Sequence, residues 1–172
     1  MRISKMRLPT EKTLSVRQPY AQTIVSPSEH NARTPVKWIE NRTWSPTLQR
    51  GDTLLIHASG SFGCPYEYEN YGLAFDATPH GAIIGYVTFL DCIQLTLSSD
   101  SDKCSKHNNM LFKSHLKRLK DIMEKHTSYR PAHGSIHAEQ ERNIWHWLFA
   151  DPVMLDEPIC CMGKLNIWSF SK

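Results

Sequence analysis

The chain has 172 residues, 40% hydrophobic, 22% charged and 10% aromatic; this ordinary globular composition suits one domain with a sizeable core. No stretch approaches the roughly 20 apolar residues that a membrane span needs. The formal charge of +3 leans only mildly toward a polyanionic partner, and five cysteines without paired spacing fit free thiols in a reducing compartment better than a disulfide scaffold.

From the start, Met1 to Lys12 is a basic lead-in that lacks the apolar core of a secretory signal. Thr13 to Val16 is a short β-prone run, and Arg17-Gln18-Pro19 brings a proline to the point where a helix begins, so Tyr20 to Val25 is predicted helical. Ser26 to Pro35 is polar and proline-bracketed, hence a loop; Val36 to Arg42 resumes branched and aromatic residues and reads as a strand.

Gly51-Asp52 marks a turn before the strand Thr53 to Ala58, and Gly81 opens a second run, AIIGYVTFL, of buried-strand character. Between them, Gly60 to His80 reads as a surface loop or a loop with a short helix. Ser98 to Lys106 is a polar linker, after which Phe112, Leu116, Leu119 and Met123 mark an amphipathic helix with Lys113, Lys117 and Lys120 off its apolar stripe. Ser135 is a candidate cap for a further helix with Glu139 and Glu141 in its early turns, and strand-like runs follow at Trp147 to Phe149 and Leu165 to Phe170. Several β runs without regular strand-helix alternation point to a small barrel or α+β domain, not a doubly wound sheet.

Five ordered segments carry a resemblance: LSVRQPYAQTIV from Leu14, VKWIENRTW from Val36, RGDTLLIHAS from Arg50, GAIIGYVTFLDC from Gly81 and DPVMLDEPICCMGKLNIW from Asp151. Together they span nearly the whole chain, and in this order they resemble the signatures of the activating-signal-cointegrator homology (ASCH) family. The resemblance implies an α+β fold, a PUA-like small β-barrel with peripheral helices. It makes 1–172 a single domain, with a core of about 13–170 and a helical insertion at about 98–140. It also implies a cleft lined by the segment after the first strand and by the Lys-x-x-Glu-x-Arg run, most often used for RNA. Two departures, the longer loop before Lys37 and the insertion, bear on the rim of that cleft.

The candidate binding residues are Arg17, Gln18, Lys37, Glu40, Arg42, Trp44, His57 and Ser59. Strict strand alternation puts Glu40 and Arg42 on one face and Lys37 on the other, so their convergence requires a bulge or a strand end. Arg42 would then fork onto a phosphate or carboxylate, Lys37 would supply a point charge and Glu40 would orient them or accept from a base amino group. Arg17 and Gln18 sit where a strand gives way to a helix, Trp44 offers a stacking face, and His57 and Ser59 close their strand. The bland alternatives are a solvated Glu40–Arg42 pair, core aromatics and a structural histidine.

The expected partner is RNA, another single-stranded nucleic acid or a nucleotide-like small molecule, bound by a monomer in the cytoplasm, or in the nucleus of a eukaryote, without a membrane. Neither cofactor nor metal is expected, since Cys104-x-x-His107 and Cys160-Cys161 do not complete a zinc ligand set. The second function is hydrolysis of modified nucleosides or RNA through Lys37 and Glu40. The family's amidohydrolase branch places a nucleophilic threonine where this chain has Glu40, and a carboxylate cannot serve as that alkoxide. A protein adaptor using the Lys113 to Lys125 helix is the third.

Overall fold

The computed structural model describes residues 8–61, 63–97, 104–131 and 143–171. The linker at 98–103, the Ser135 helix, the side chains of the Cys104-x-x-His107 pair and most of the basic lead-in lie outside the described residues. The architecture is mixed α+β, as the sequence implies.

Strand β1 (Lys12–Val16) leads through a cis Gln18–Pro19 bond into helix α1 (Tyr20–Val25). Ser26 to Pro35, expected to be a loop, instead forms a small hairpin of β2 (Pro27–Ser28) and β3 (Asn31–Pro35). Its turn is supported by Ser28 Oγ, which both accepts from the Asn31 amide and donates to the Asn31 carbonyl. The next strand, β4, is shorter than expected at Ile39–Arg42, and Lys37 stands in a bend before it.

β5 occupies Thr53–Ala58, as expected. The Gly60 to His80 connection contains one short helix, α2 (Pro65–Glu69). β6 (Ala82–Leu95), helix α3 (Cys104–Thr127), β7 (Ile144–Cys160) and β8 (Ile167–Ser169) follow among the described residues.

The main sheet runs β4-β7-β6-β5-β1-β8. β6 and β7 form its spine, and their pairing carries three register shifts, where bulges bend long strands. β4 lies four strand spacings from β1, roughly 19 Å across a flat sheet. Yet Arg42 Nη2 of β4 donates to the Ser15 carbonyl of β1 at 3.1 Å. No arginine spans the flat distance, so the sheet must roll up, and a side chain joins its far sides.

The apolar period of two on β1 (Leu14, Val16) and β5 (Leu54, Ile56, Ala58) points inward, with Ala82, Ile84, Val87, Phe89, Trp147 and Phe149, onto α1. Gly85 permits this closeness, because a Cβ there would stand 2.3 Å from the Val153 carbonyl oxygen and 2.8 Å from Val25. A second cluster joins Leu116, Leu119 and Met123 of α3 to Trp38, Ile39, Leu90, Leu148 and Ala150. The helical stripe read from the sequence is therefore the face that docks on the sheet.

Candidate functional site

The end of β1, the start of α1, the bend before β4 and the segment after α2 enclose a concavity of about 390 Å³, lined by Val16, Arg17, Tyr20, Lys37, Glu40, Asn41, Arg42 and Tyr71. Lys37 enters it because the chain is not yet extended there. Its amide donates to the Thr23 carbonyl of α1, which fixes the bend.

From that bend Lys37 Nζ donates to the Ile39 carbonyl and to Glu40 Oε2, each at 2.5 Å. Glu40 Oε1 lies 3.0 Å from Arg42 Nη2, so one carboxylate bridges two cations. The Lys37 and Glu40 side chains are only 5% and 10% exposed, which makes each the condition for burying the other. Arg42 Nε is also buried and meets no protein acceptor.

The opposite wall is aromatic and acidic. Arg17 lies over the Tyr20 ring at 5.5 Å, and Lys37 Nζ is 5.6 Å from the same centroid. Tyr20 meets Tyr71 edge to face at 6.2 Å. Glu67 of α2 accepts from Tyr20 Oη at 2.8 Å, from Arg17 Nη2 at 2.9 Å and from the Cys64 amide at 2.8 Å.

Burial and the Glu67 bond push the Tyr20 hydroxyl up to about 12. Burial, then the Glu67 and Glu40 charges, raise Tyr71. Burial also works to raise the Glu67 carboxyl, but the Tyr20, Cys64 and Arg17 contacts outweigh it and hold Glu67 below its ordinary value. Both phenols therefore present neutral hydroxyls at physiological pH.

Of the eight residues singled out from the sequence, Arg17, Lys37, Glu40 and Arg42 come together here. The other four do not line the concavity. Gln18 is fully buried and structural: its amide donates to the Pro79 carbonyl, and its side-chain oxygen accepts from the Gln22 amide. Trp44, half-buried over the core, packs edge to face on Trp147 at 4.7 Å, its carbonyl accepts from Trp147 Nε1, and it lies outside this concavity. His57 is buried, with Nε2 at 3.0 Å from the Cys161 carbonyl and its ring against Trp168. Burial pushes its pKa down, against the Cys161 bond. Ser59 continues the β1–β5 pairing through its amide to the Val16 carbonyl.

Sequence reasoning passed over Tyr20, Glu67 and Tyr71. Tyr20 was legible, three positions after Arg17 on the same turn. Glu67 and Tyr71 belong to a segment without periodicity, and only the tertiary fold brings it to the cleft.

No protein-family model matches the sequence, and no match is found among curated proteins. Among solved structures, the chain is similar to the crystal structure of ASCH from Zymomonas mobilis at 13% identity and a TM-score of 0.49, covering 95% of this chain and 89% of that one. Two variants of the same protein are also similar. One has serine changed to alanine, at 14% identity and a TM-score of 0.48, with 95% and 89% of the two chains covered. The other has tyrosine changed to phenylalanine, at 13% identity and a TM-score of 0.47, with 95% and 91% covered.

Proposed function

We propose that the chain is a single ASCH-type, PUA-like module that binds RNA through one unstacked nucleotide, or a nucleotide-like small molecule, in the cleft of Arg17, Tyr20, Lys37, Glu40, Arg42 and Tyr71. One observation carries this reading: three cations and two tyrosines from separate segments converge on one concavity of nucleotide size. Three cations against Glu40 and the adjoining Glu67 leave one net positive charge, which suits a monoanionic phosphate.

The recognition chemistry follows from the geometry. Arg17 is the exposed cation at the mouth and meets phosphate first. Tyr20 and Tyr71 offer an aromatic corner for a base, stacking being worth about 1 to 3 kcal/mol per base. Arg42, whose side chain is partly exposed in the concavity, adds a second guanidinium for a carbonyl or phosphate oxygen. Binding is favoured over hydrolysis because the buried Glu40 carboxylate bridges Lys37 and Arg42, one on each oxygen, which suits an organiser of the cleft better than a base that must turn toward a water.

The test is a titration with uridine monophosphate and with a ten-nucleotide oligouridylate. Replacing Arg17 and Arg42 by alanine should weaken both ligands at least tenfold and flatten the salt dependence, since counterions are released by each phosphate contact. Unchanged affinities in that double variant would sink the assignment. Turnover of an acylated nucleoside or RNA that disappears in Glu40→Gln would transfer the reading to a hydrolase.

A further inference from the structure

We propose that α3 carries a second, elongated site for the phosphate backbone of single-stranded RNA, continuing the strand whose nucleotide occupies the cleft; this rests on the reading of the cleft above. The site is a groove of about 250 Å³ lined by Lys113, Leu116, Lys117, Lys120 and Arg130.

The three lysines recur at steps of four and three residues, so they form one stripe along the helix, roughly 10 Å from first to last at 1.5 Å per residue. None makes an ion pair among the described residues. A helix face can relieve such lysines with carboxylates four positions on. Those carboxylates are present, Asp121 after Lys117 and Glu124 after Lys120, but both are engaged elsewhere: Arg130 Nη1 bonds each of them at 2.6 Å.

The chain is turned back to make this possible. Thr127 Oγ1 donates to the Met123 carbonyl and Ser128 adopts a positive φ of 58°, so Arg130 returns alongside the helix it has just left. Four cations against two carboxylates leave the groove with two net positive charges, and the like-charged lysines go unrelieved. Burial, with Arg130 beside it, lowers the pKa of Lys120.

Leu116 alone floors the groove with apolar surface, which gives neither a stacking platform nor a pocket for a side chain. Such a surface reads the spacing of charges, not sequence, and ammonium groups on flexible stems suit phosphate oxygens in any orientation. The groove and the cleft are linked through one segment of the chain. Lys37 and Glu40 line the cleft while Trp38 and Ile39, between them, pack on Leu116 and Leu119. One short segment thus both walls the cleft and seats the helix that carries the groove.

The test compares uridine monophosphate with the ten-nucleotide oligouridylate on the full chain, parent against Lys113→Gln/Lys117→Gln/Lys120→Gln, with Lys117→Glu as a second variant. The triple variant should bind the mononucleotide as the parent does. It should bind the oligomer about tenfold more weakly near 0.1 M salt, with the slope of log affinity on log salt reduced by about 2, at roughly 0.7 per single-strand phosphate. Lys117→Glu should weaken the oligomer alone. If the parent binds both ligands and neither variant alters oligomer affinity or slope, the groove is refuted and the cleft reading survives. If the parent binds neither, both fall. Vesicles containing phosphatidylserine that lose binding in the triple variant, with RNA binding intact, would assign the groove to a membrane and overturn the proposal.

Discussion

The two cationic regions are built on opposite plans. In the cleft, every lysine and arginine is held by a carboxylate: Lys37 and Arg42 by Glu40, Arg17 by Glu67. On α3, the lysines are exposed or half-buried and the carboxylates are diverted to Arg130. A paired, buried cation is fixed in position and selects a ligand by shape; an unpaired, mobile one adds affinity that salt removes. The difference teaches that the number of cations is a poor guide to recognition, because what holds them decides what they can discriminate.

The largest expected effect breaks the cleft from within. Glu40→Ala leaves Lys37 buried without its partner, and should cost about 3 to 5 kcal/mol of stability by urea unfolding. Lys37→Met should cost clearly less, because Glu40 keeps Arg42. Equal losses from the two changes would show that the pair is not what organises the cleft. The Lys113, Lys117 and Lys120 triple variant is the contrasting case and should remain within about 0.5 kcal/mol of the parent.

Next in size is the docking of α3. Leu119 is fully buried against Ile39 and Leu148, so Leu119→Ala should cost about 2 to 4 kcal/mol. Faster hydrogen exchange should be confined largely to α3 amides, with mononucleotide binding retained. Loss of mononucleotide binding in the folded variant would mean that cleft and helix are one energetic unit.

Local pattern made most of the fold legible. The short helix Tyr20–Val25 and the strand Thr53–Ala58 match their sequence readings because proline, glycine and β-branched runs mark their ends. The hairpin at 27–35 did not, since its strands are polar and two to five residues long, held by Ser28 and by packing against β7. In the cleft, the family resemblance singled out Lys37, Glu40 and Arg42, which charge spacing alone leaves as a solvated pair, and the strand end that their convergence required is the bend at Lys37. Charge spacing could not separate Trp44 from a stacking residue, because burial against Trp147 is a long-range fact. Nor could it reveal Glu67, which lies fifty residues from Arg17.

Trp44 supplies a smaller test of the same contrast between core and cleft. Trp44→Ala should lose about 1 to 2 kcal/mol, from area and the edge-to-face pair with Trp147, while the affinity for uridine monophosphate stays unchanged. Tyr20→Ala should do the reverse in emphasis, weakening the mononucleotide about tenfold by removing the ring shared by Arg17 and Lys37. A Trp44→Ala protein that folds normally but binds tenfold more weakly would return the tryptophan to the ligand.

The smallest effect is a pH dependence that should loosen α3 and spare the cleft. His115 of α3 and the buried His146 of β7 share a hydrogen bond of 2.7 Å, in which one ring must donate and the other accept. Burial, with Arg118 as a second cause, pushes His115 down to about 4. In the unfolded chain it titrates near the ordinary value of about 6.5. Between those values the unfolded state binds the extra proton, so stability is complete above about pH 6.5 and declines as pH falls toward 4. Because His115 is only half-buried, the loss at pH 5.5 should be at most about 1 kcal/mol after solvent screening. His115→Gln keeps a donor and an acceptor but does not titrate there, and should flatten the decline over this window. Hydrogen exchange at pH 7 and pH 5.5 checks it: acid should speed α3 amides in the parent and much less so in His115→Gln. An equal acid response in both proteins would move the sensitivity away from His115 to another contact of α3.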